Sequence, residues 1–242
     1  MNKYNFSAGP ARLHPSVVEE AKESIINYKG SGVSILEISH RSREFKEIME
    51  RLKINLTNLF NIPDNYFILL LQGGATYQNS ILPYNYGFQN NIGCLVTGEW
   101  GKKTYEDFGL VKETEIINLD DSKIEEFLSK ENGKYFKDLD YLHVTSNETI
   151  NGIQIRDFKN INHPALIVDM SSDIGSYKFD WDNLTYIYAG AQKNMGIPGV
   201  TICIGNKANL PDIENPSYLN LMKLSENDSV LNTPSTFSVY IL

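Results

Sequence analysis

Hydrophobic positions along the 242-residue chain fall into two alternating kinds of segment. Seven short runs are apolar nearly throughout: YFILLL (66–71), IGCLV (92–96), EIINL (115–119), YLHV (141–144), ALIVD (165–169), YIYA (186–189) and VTICI (200–204). Runs this short and continuous predict strands buried on both faces. Polar, helix-compatible stretches lie between the early ones, at 76–85, 100–109 and 121–130. Ahead of them, Val17, Val18, Ala21 and Ile25 recur at helical spacing, with Gly30 as a stop. A longer stripe, Phe45, Ile48, Met49, Leu52, Leu56, Leu59 and Phe60, predicts a second helix ended by Pro63. Strands alternating with helices predict an α/β fold: a mixed, mostly parallel seven-stranded sheet with helices on both faces. The last pair breaks the parallel pattern. Ten residues separate YIYA from VTICI, among them Gly190, Gly196, Pro198 and Gly199. A parallel crossover needs about a dozen or more, so VTICI is expected to run antiparallel to its neighbour. The closing TFSVYIL reads as the start of a helix that continues, and the chain as part of something longer.

Composition narrows the function classes. The length suits one large domain or one and a half. A formal charge of -8 argues against nucleic acid as a partner, since phosphate backbones attract basic surfaces. No run of about 18 apolar residues is present, so no membrane span is expected, and MNKYNFSAGPARLHP lacks the apolar core of a signal peptide. The two cysteines, Cys94 and Cys203, each sit inside a strand-like run and read as buried reduced thiols of a cytoplasmic protein. No clustered Cys/His spacing supports a metal site.

In open α/β sheets, ligands sit outside the carboxyl ends of the strands. Four such ends carry unusual residues. In LLLQGGATYQNS, Gly73 and Gly74 precede Ala75, Thr76 and a predicted helix. Glycines let the backbone close on a ligand, and a helix N-terminus offers N–H groups to an anion, although a plain tight turn has the same sequence. In VTGEWGKK, Trp100 follows a strand through a short turn. Its indole suits stacking on a flat ring or packing beneath a loop. Asp169 ends the apolar run ALIVD, where a carboxylate must be paired or solvated. Lys193 stands in AGAQKNMGIPG, among small residues after YIYA. An amine in such a pocket can form a Schiff base, while the bland alternative is a loop lysine at the surface. Together the four describe one ligand, with a phosphate, a flat ring, a ring nitrogen that benefits from a carboxylate, and an aldehyde that a lysine captures. That ligand is pyridoxal phosphate.

NFSAGPA (5–11), EISHRS (37–42), GGAT (73–76), NETINGI (147–153), DMSSD (169–173), YAGAQKNMG (188–196) and LNTPSTF (231–237) run in order along the chain. With them the sequence resembles the phosphoserine aminotransferase family, class-V aminotransferases among the fold-type I pyridoxal-phosphate enzymes. The resemblance implies transfer of an amino group from L-glutamate to 3-phosphohydroxypyruvate, giving O-phospho-L-serine and 2-oxoglutarate, in serine biosynthesis. It implies that Lys193 binds the cofactor aldehyde and moves the proton, and that Asp169 pairs with the ring nitrogen. Trp100 matches the stacking aromatic, Ala75 and Thr76 the phosphate loop, Gln192 a further phosphate contact and Thr149 a contact to the ring. Many relatives carry arginine where Thr76 stands, so one charge is missing there. Asn232 and Thr233 match residues that reach the neighbouring subunit's cofactor phosphate, which implies a homodimer with shared sites. His40 and Arg41 match the substrate-side pair, and Ala8 stands where some relatives have a substrate-contacting serine. Residues 1–242 are then expected to form the cofactor-binding large domain, with residues 1–15 lining the site and a C-terminal small domain missing. The alternatives are another class-V aminotransferase, which the His40–Arg41 pair disfavours, and an inactive truncated cofactor-binding fragment.

Overall fold

A computed structural model describes residues 4–89, 91–119, 121–129 and 138–242. All seven apolar runs become strands: β1 (Tyr66–Leu71), β2 (Asn91–Val96), β3 (Glu113–Asn118), β4 (Tyr141–Thr145), β7 (Leu166–Asp169), β8 (Leu184–Gly190) and β9 (Thr201–Asn206). Two short strands, β5 (Asn147–Glu148) and β6 (Ile153–Gln154), form a separate antiparallel hairpin. The main sheet has the order β1-β9-β8-β7-β4-β2-β3. The pairs β2–β3, β2–β4, β4–β7 and β7–β8 are parallel, whereas β9 runs antiparallel to both β8 and β1. The short Gly- and Pro-containing connection before β9 does reverse the chain.

Alternation along each strand divides the core between the two faces of the sheet. Val144, Val168, Ile187 and Ile202 pack with Phe45, Ile48, Leu52 and Leu56 of helix α2 (Arg43–Phe60). Ile167, Tyr186, Tyr188 and Cys203 pack on the opposite face. They meet Ile81 and Leu82 of α3 (Gly74–Tyr86) and Phe108 of α4 (Glu99–Gly109). Asp169 follows Ile167 by two positions in β7, so its side chain points to the α3/α4 face. Strand β3 is an edge strand. It is mostly exposed, with glutamates at 113 and 115, and its apolar run is the least buried of the seven.

Two helix boundaries differ from expectation. Helix α1 (Pro15–Ile26) stops ahead of Gly30, at an extended Asn27. Its inward face is Val17, Ala21 and Ser24, with Ser24 Oγ 2.7 Å from the Tyr240 hydroxyl, so Val18 and Ile25 stay exposed. Helix α2 ends at Asn61, whose left-handed backbone breaks the helix before Pro63 is reached. The remaining helices are α5 (Asp121–Ser129), α6 (Leu221–Glu226) and α7 (Thr236–Ile241), the last inside TFSVYIL.

Candidate active site

Four neighbouring parallel strands, β8, β7, β4 and β2, deliver their carboxyl ends to one edge of the sheet. There β8 leads to Lys193, β7 ends on Asp169, β4 leads to Glu148 and Thr149, and β2 leads through Gly98 to Trp100. The Lys193 Nζ lies 5.3 Å from the centre of the Trp100 ring, close enough for a cation–π contact. Trp100 Nε1 donates to Thr149 Oγ1 at 2.9 Å. The N-terminal segment closes the other side. Ala11 N–H donates to the Gln192 carbonyl at 2.9 Å, and a Cβ built on Gly9 would stand 3.2 Å from Lys193 Cγ. Lys193, Asp169, Trp100, Thr149 and Gln192 therefore share one site, and residues 9–11 flank it.

Asp169 is buried, and one of its carboxylate oxygens is already used: Ser171 N–H donates to Oδ1 at 2.8 Å. Burial pushes its pKa up, opposed by Ser171 and by the charge of Lys193. A buried carboxylate held by the backbone and side chain of Ser171 still has acceptor capacity that suits a cationic N–H on a ligand. The loop beyond it is tied down by Asp173, whose Oδ1 lies 2.6 Å from Ser146 Oγ while Oδ2 accepts from Gln154 Nε2 at 3.0 Å. Tyr188 stands beside Asp169 in the adjacent strand and shares its hydroxyl with His143 Nε2 at 2.9 Å. Desolvation lowers the His143 pKa to about 3, so that imidazole is neutral at every physiological pH.

Two helix N-termini face this edge, and they differ. The first turn of α4 is plugged. Glu148 accepts from the N–H groups of Trp100 and Gly101, and Asn151 Oδ1 accepts from Glu99 N–H. No side chain caps α3, which enters through Gly73 and Gly74, both at positive φ. The first-turn amides of Ala75 and Thr76, beside the exposed Thr76 hydroxyl, are the kind of helix N-terminus that suits an anion. A Cβ on Gly73 would lie 2.5 Å from Tyr77 Cβ, and φ is +95° there. Gly73→Ala is thus expected to cost about 1–3 kcal/mol of strain and to weaken pyridoxal phosphate binding more than binding of phosphate-free pyridoxal. Titration with the two compounds checks this.

For the remaining expected residues the structure shows local contacts and no hydrogen bond to Lys193, Asp169 or Trp100 among the described residues. Asn232 and Thr233 are exposed, and Thr233 is tied to the residue before Gly73 of its own chain, its carbonyl accepting from Gln72 Nε2 at 3.2 Å. His40 and Arg41 lie in the turn before α2. Arg41 is exposed, and its N–H makes a local bond to Ser39 Oγ at 3.2 Å. Ala8 is exposed on the N-terminal segment. Glu148, Ser171 and Asp173 were not expected from the sequence. The signal available for Glu148 was its place beside Thr149. Ser171 and Asp173 are short polar residues in the turn after a strand-end carboxylate.

Comparison with known proteins shows the family. The class-V aminotransferase family matches residues 3–242. A phosphoserine aminotransferase of Bacillus thuringiensis subsp. konkukian is 39% identical over 242 residues, which covers 98% of this chain and 67% of that protein. The chain thus spans about two thirds of the length of that relative. Among solved structures, a PLP-bound phosphoserine aminotransferase from Trichomonas vaginalis superposes with a TM-score of 0.90 at 31% identity, covering 99% of this chain and 73% of that one. A phosphoserine aminotransferase studied for radiation damage of its Schiff base gives 0.89 at 39% identity, covering 99% and 68%.

Proposed function

The chain belongs to the class-V aminotransferase family, and from that premise we propose that it serves the phosphoserine aminotransferase reaction with pyridoxal phosphate as its cofactor. An amino group passes from L-glutamate to 3-phosphohydroxypyruvate, giving O-phospho-L-serine and 2-oxoglutarate. The observation that carries this reading is the meeting of Lys193, Trp100 and Asp169 beside the uncapped end of α3. When bound, the cofactor supplies an aldehyde for the amino group and a ring that withdraws electrons.

Each residue then has a task. Lys193 would hold the cofactor through Nζ, and the same amine would be the group that takes up and returns a proton at the substrate carbon. The Asp169 carboxylate would keep a proton on the ring nitrogen. Trp100 would offer its indole face to the ring, and its bond to Thr149 fixes the indole in place. The Ala75 and Thr76 amides, the Thr76 hydroxyl and Gln192 receive the phosphate. Arg41, with His40, meets the anionic groups of the substrate, a task suited to a guanidinium. The Ala8 backbone lines the same mouth. Asn232 and Thr233 reach the phosphate held by a second copy, so the working unit is a homodimer with shared sites. Residues 1–242 serve as the large, cofactor-binding domain, with the N-terminal segment at the site; of the expected residues 1–15, residues 1–3 lie outside the described residues. Cytoplasmic location accords with the acidic charge, the two buried free cysteines and the lack, among the described residues, of any helix long and apolar enough to cross a membrane.

The test is a substrate panel on the purified chain with pyridoxal phosphate and glutamate. Phosphoserine formation with kcat/KM at least about tenfold above that for glyoxylate or oxaloacetate is expected, because those acceptors lack the phosphate that Arg41 and His40 would meet. Preference for an unphosphorylated acceptor would move the chain to another class-V activity.

A further inference from the structure

We infer that Glu148 is a positioning residue that sets the plane of Trp100, and so the plane against which the cofactor ring lies. The inference rests on the cofactor reading above. Glu148 is fully buried in the β5–β6 hairpin. Its Oε2 accepts from Trp100 N–H at 2.8 Å and its Oε1 from Gly101 N–H at 2.7 Å. The same short loop supplies Asn151 to Glu99 N–H and Thr149 to the Trp100 indole. Residues 148–151 therefore hold Trp100 by its backbone, by both flanking amides and by its ring nitrogen.

The chain is shaped around this carboxylate. A Cβ on Gly98 would stand 2.7 Å from Glu148 Cδ, and one on Gly101 would stand 3.0 Å from Oε1. Both glycines leave space that Glu148 fills. The cost is real. Burial raises the pKa of Glu148 against the pull of the two N–H groups, and the neighbouring Glu99 raises it further. A serine or asparagine at the cap position would satisfy such amides without burying a charge. What a bidentate carboxylate adds is direction: two parallel acceptors fix the angle of the first turn as well as its position. The one aromatic ring on that turn is Trp100, and it faces Lys193.

The experiment compares Glu148→Gln and Glu148→Ala with the unsubstituted chain. The chain has two tryptophans, so two indole N–H resonances are expected, with Trp100 assigned through Trp100→Phe. In the cofactor-free protein, the Trp100 resonance should shift and exchange with solvent at least about tenfold faster, the scale of losing a charge-assisted hydrogen bond. The Trp181 resonance, buried elsewhere and bonded to the Phe60 carbonyl, should stay put. With pyridoxal phosphate bound, the circular dichroism of the cofactor band should change. The kcat should fall by about 10–10²-fold with little change in KM for glutamate, since misplacement by about 1 Å can cost about 10²-fold. Glu148→Gln keeps one acceptor and should fall between. An unmoved Trp100 resonance in Glu148→Gln overturns the inference, as does an unchanged cofactor circular dichroism. If the unsubstituted chain takes up no cofactor, the functional reading fails, while the resonance comparison still decides whether Glu148 orients Trp100.

Discussion

Lys193→Ala is expected to lower transamination by at least about 10⁴-fold, because it removes both the covalent capture of the cofactor and the group that moves the proton. Positioned acid–base groups alone contribute about 10²–10⁴-fold. The effect on the fold should be small. Lys193 is half-buried, and the substitution removes a cation–π pair with Trp100, worth about 0.5–1 kcal/mol. The variant should still bind pyridoxal phosphate, through the α3 amides and Asp169, without the yellow band of a lysine-bound aldehyde. Borohydride reduction followed by peptide mass spectrometry locates the attachment directly. Label on the Lys193 peptide supports the assignment. Label on Lys102 or Lys103, close in the chain to Trp100, would overturn it. Added small amines should restore part of the rate in Lys193→Ala, since they supply the missing proton carrier.

Lys193, Asp169 and Trp100 were readable in the sequence because each follows a continuous apolar run. In a parallel sheet, the positions after such runs gather at one edge. The reversal of β9 was readable for a similar reason: ten residues rich in glycine are too few for a crossover. Other features depend on partners distant in the chain. Helix α1 presents Val17, Ala21 and Ser24 inward because Tyr240 of α7 offers Ser24 a hydroxyl, and no periodicity within α1 reveals that. The β5–β6 hairpin has strands of two residues, too short to carry a pattern. Glu148 reads as a solvated loop carboxylate until the fold brings it to amides 47 and 48 positions earlier in the chain. His40 and Arg41 were reached through resemblance alone. Their own neighbourhood in the sequence does not mark a substrate site, and within the chain they sit in a turn where His40 is half-buried and Arg41 exposed.

Asp169→Asn is expected to act in opposite directions on the empty and the loaded protein. In the empty chain, Asp169 is a buried carboxylate whose pKa is raised by desolvation. A carboxyl group with a raised folded-state pKa binds protons more readily in the folded than in the unfolded state. It therefore gains stability as pH falls through the folded pKa, and is at a disadvantage above it. Replacing it with a neutral amide removes that disadvantage. Asp169→Asn without cofactor should melt at the same or a higher temperature at neutral pH. Its stability should also rise less on acidification than that of the unsubstituted chain. Glu148, whose pKa is also raised, contributes equally to both proteins and cancels in the comparison, whereas the repulsion between Asp173 and Asp169 is relieved in the variant and adds to the same sign. Once the cofactor is bound, the sign reverses. The carboxylate then pairs with the ring nitrogen, and removing one partner of a buried pair costs about 3–5 kcal/mol, or about 10²–10⁴-fold in rate or affinity. The amide cannot hold a proton on that nitrogen, so the ring withdraws electrons less well while Lys193 still forms its bond. Melting curves with and without pyridoxal phosphate, beside the rate of the glutamate half-reaction, separate the two effects. A variant that is destabilised when empty, or that loses less than tenfold in rate, would remove Asp169 from the ring nitrogen and leave it as a turn residue held by Ser171.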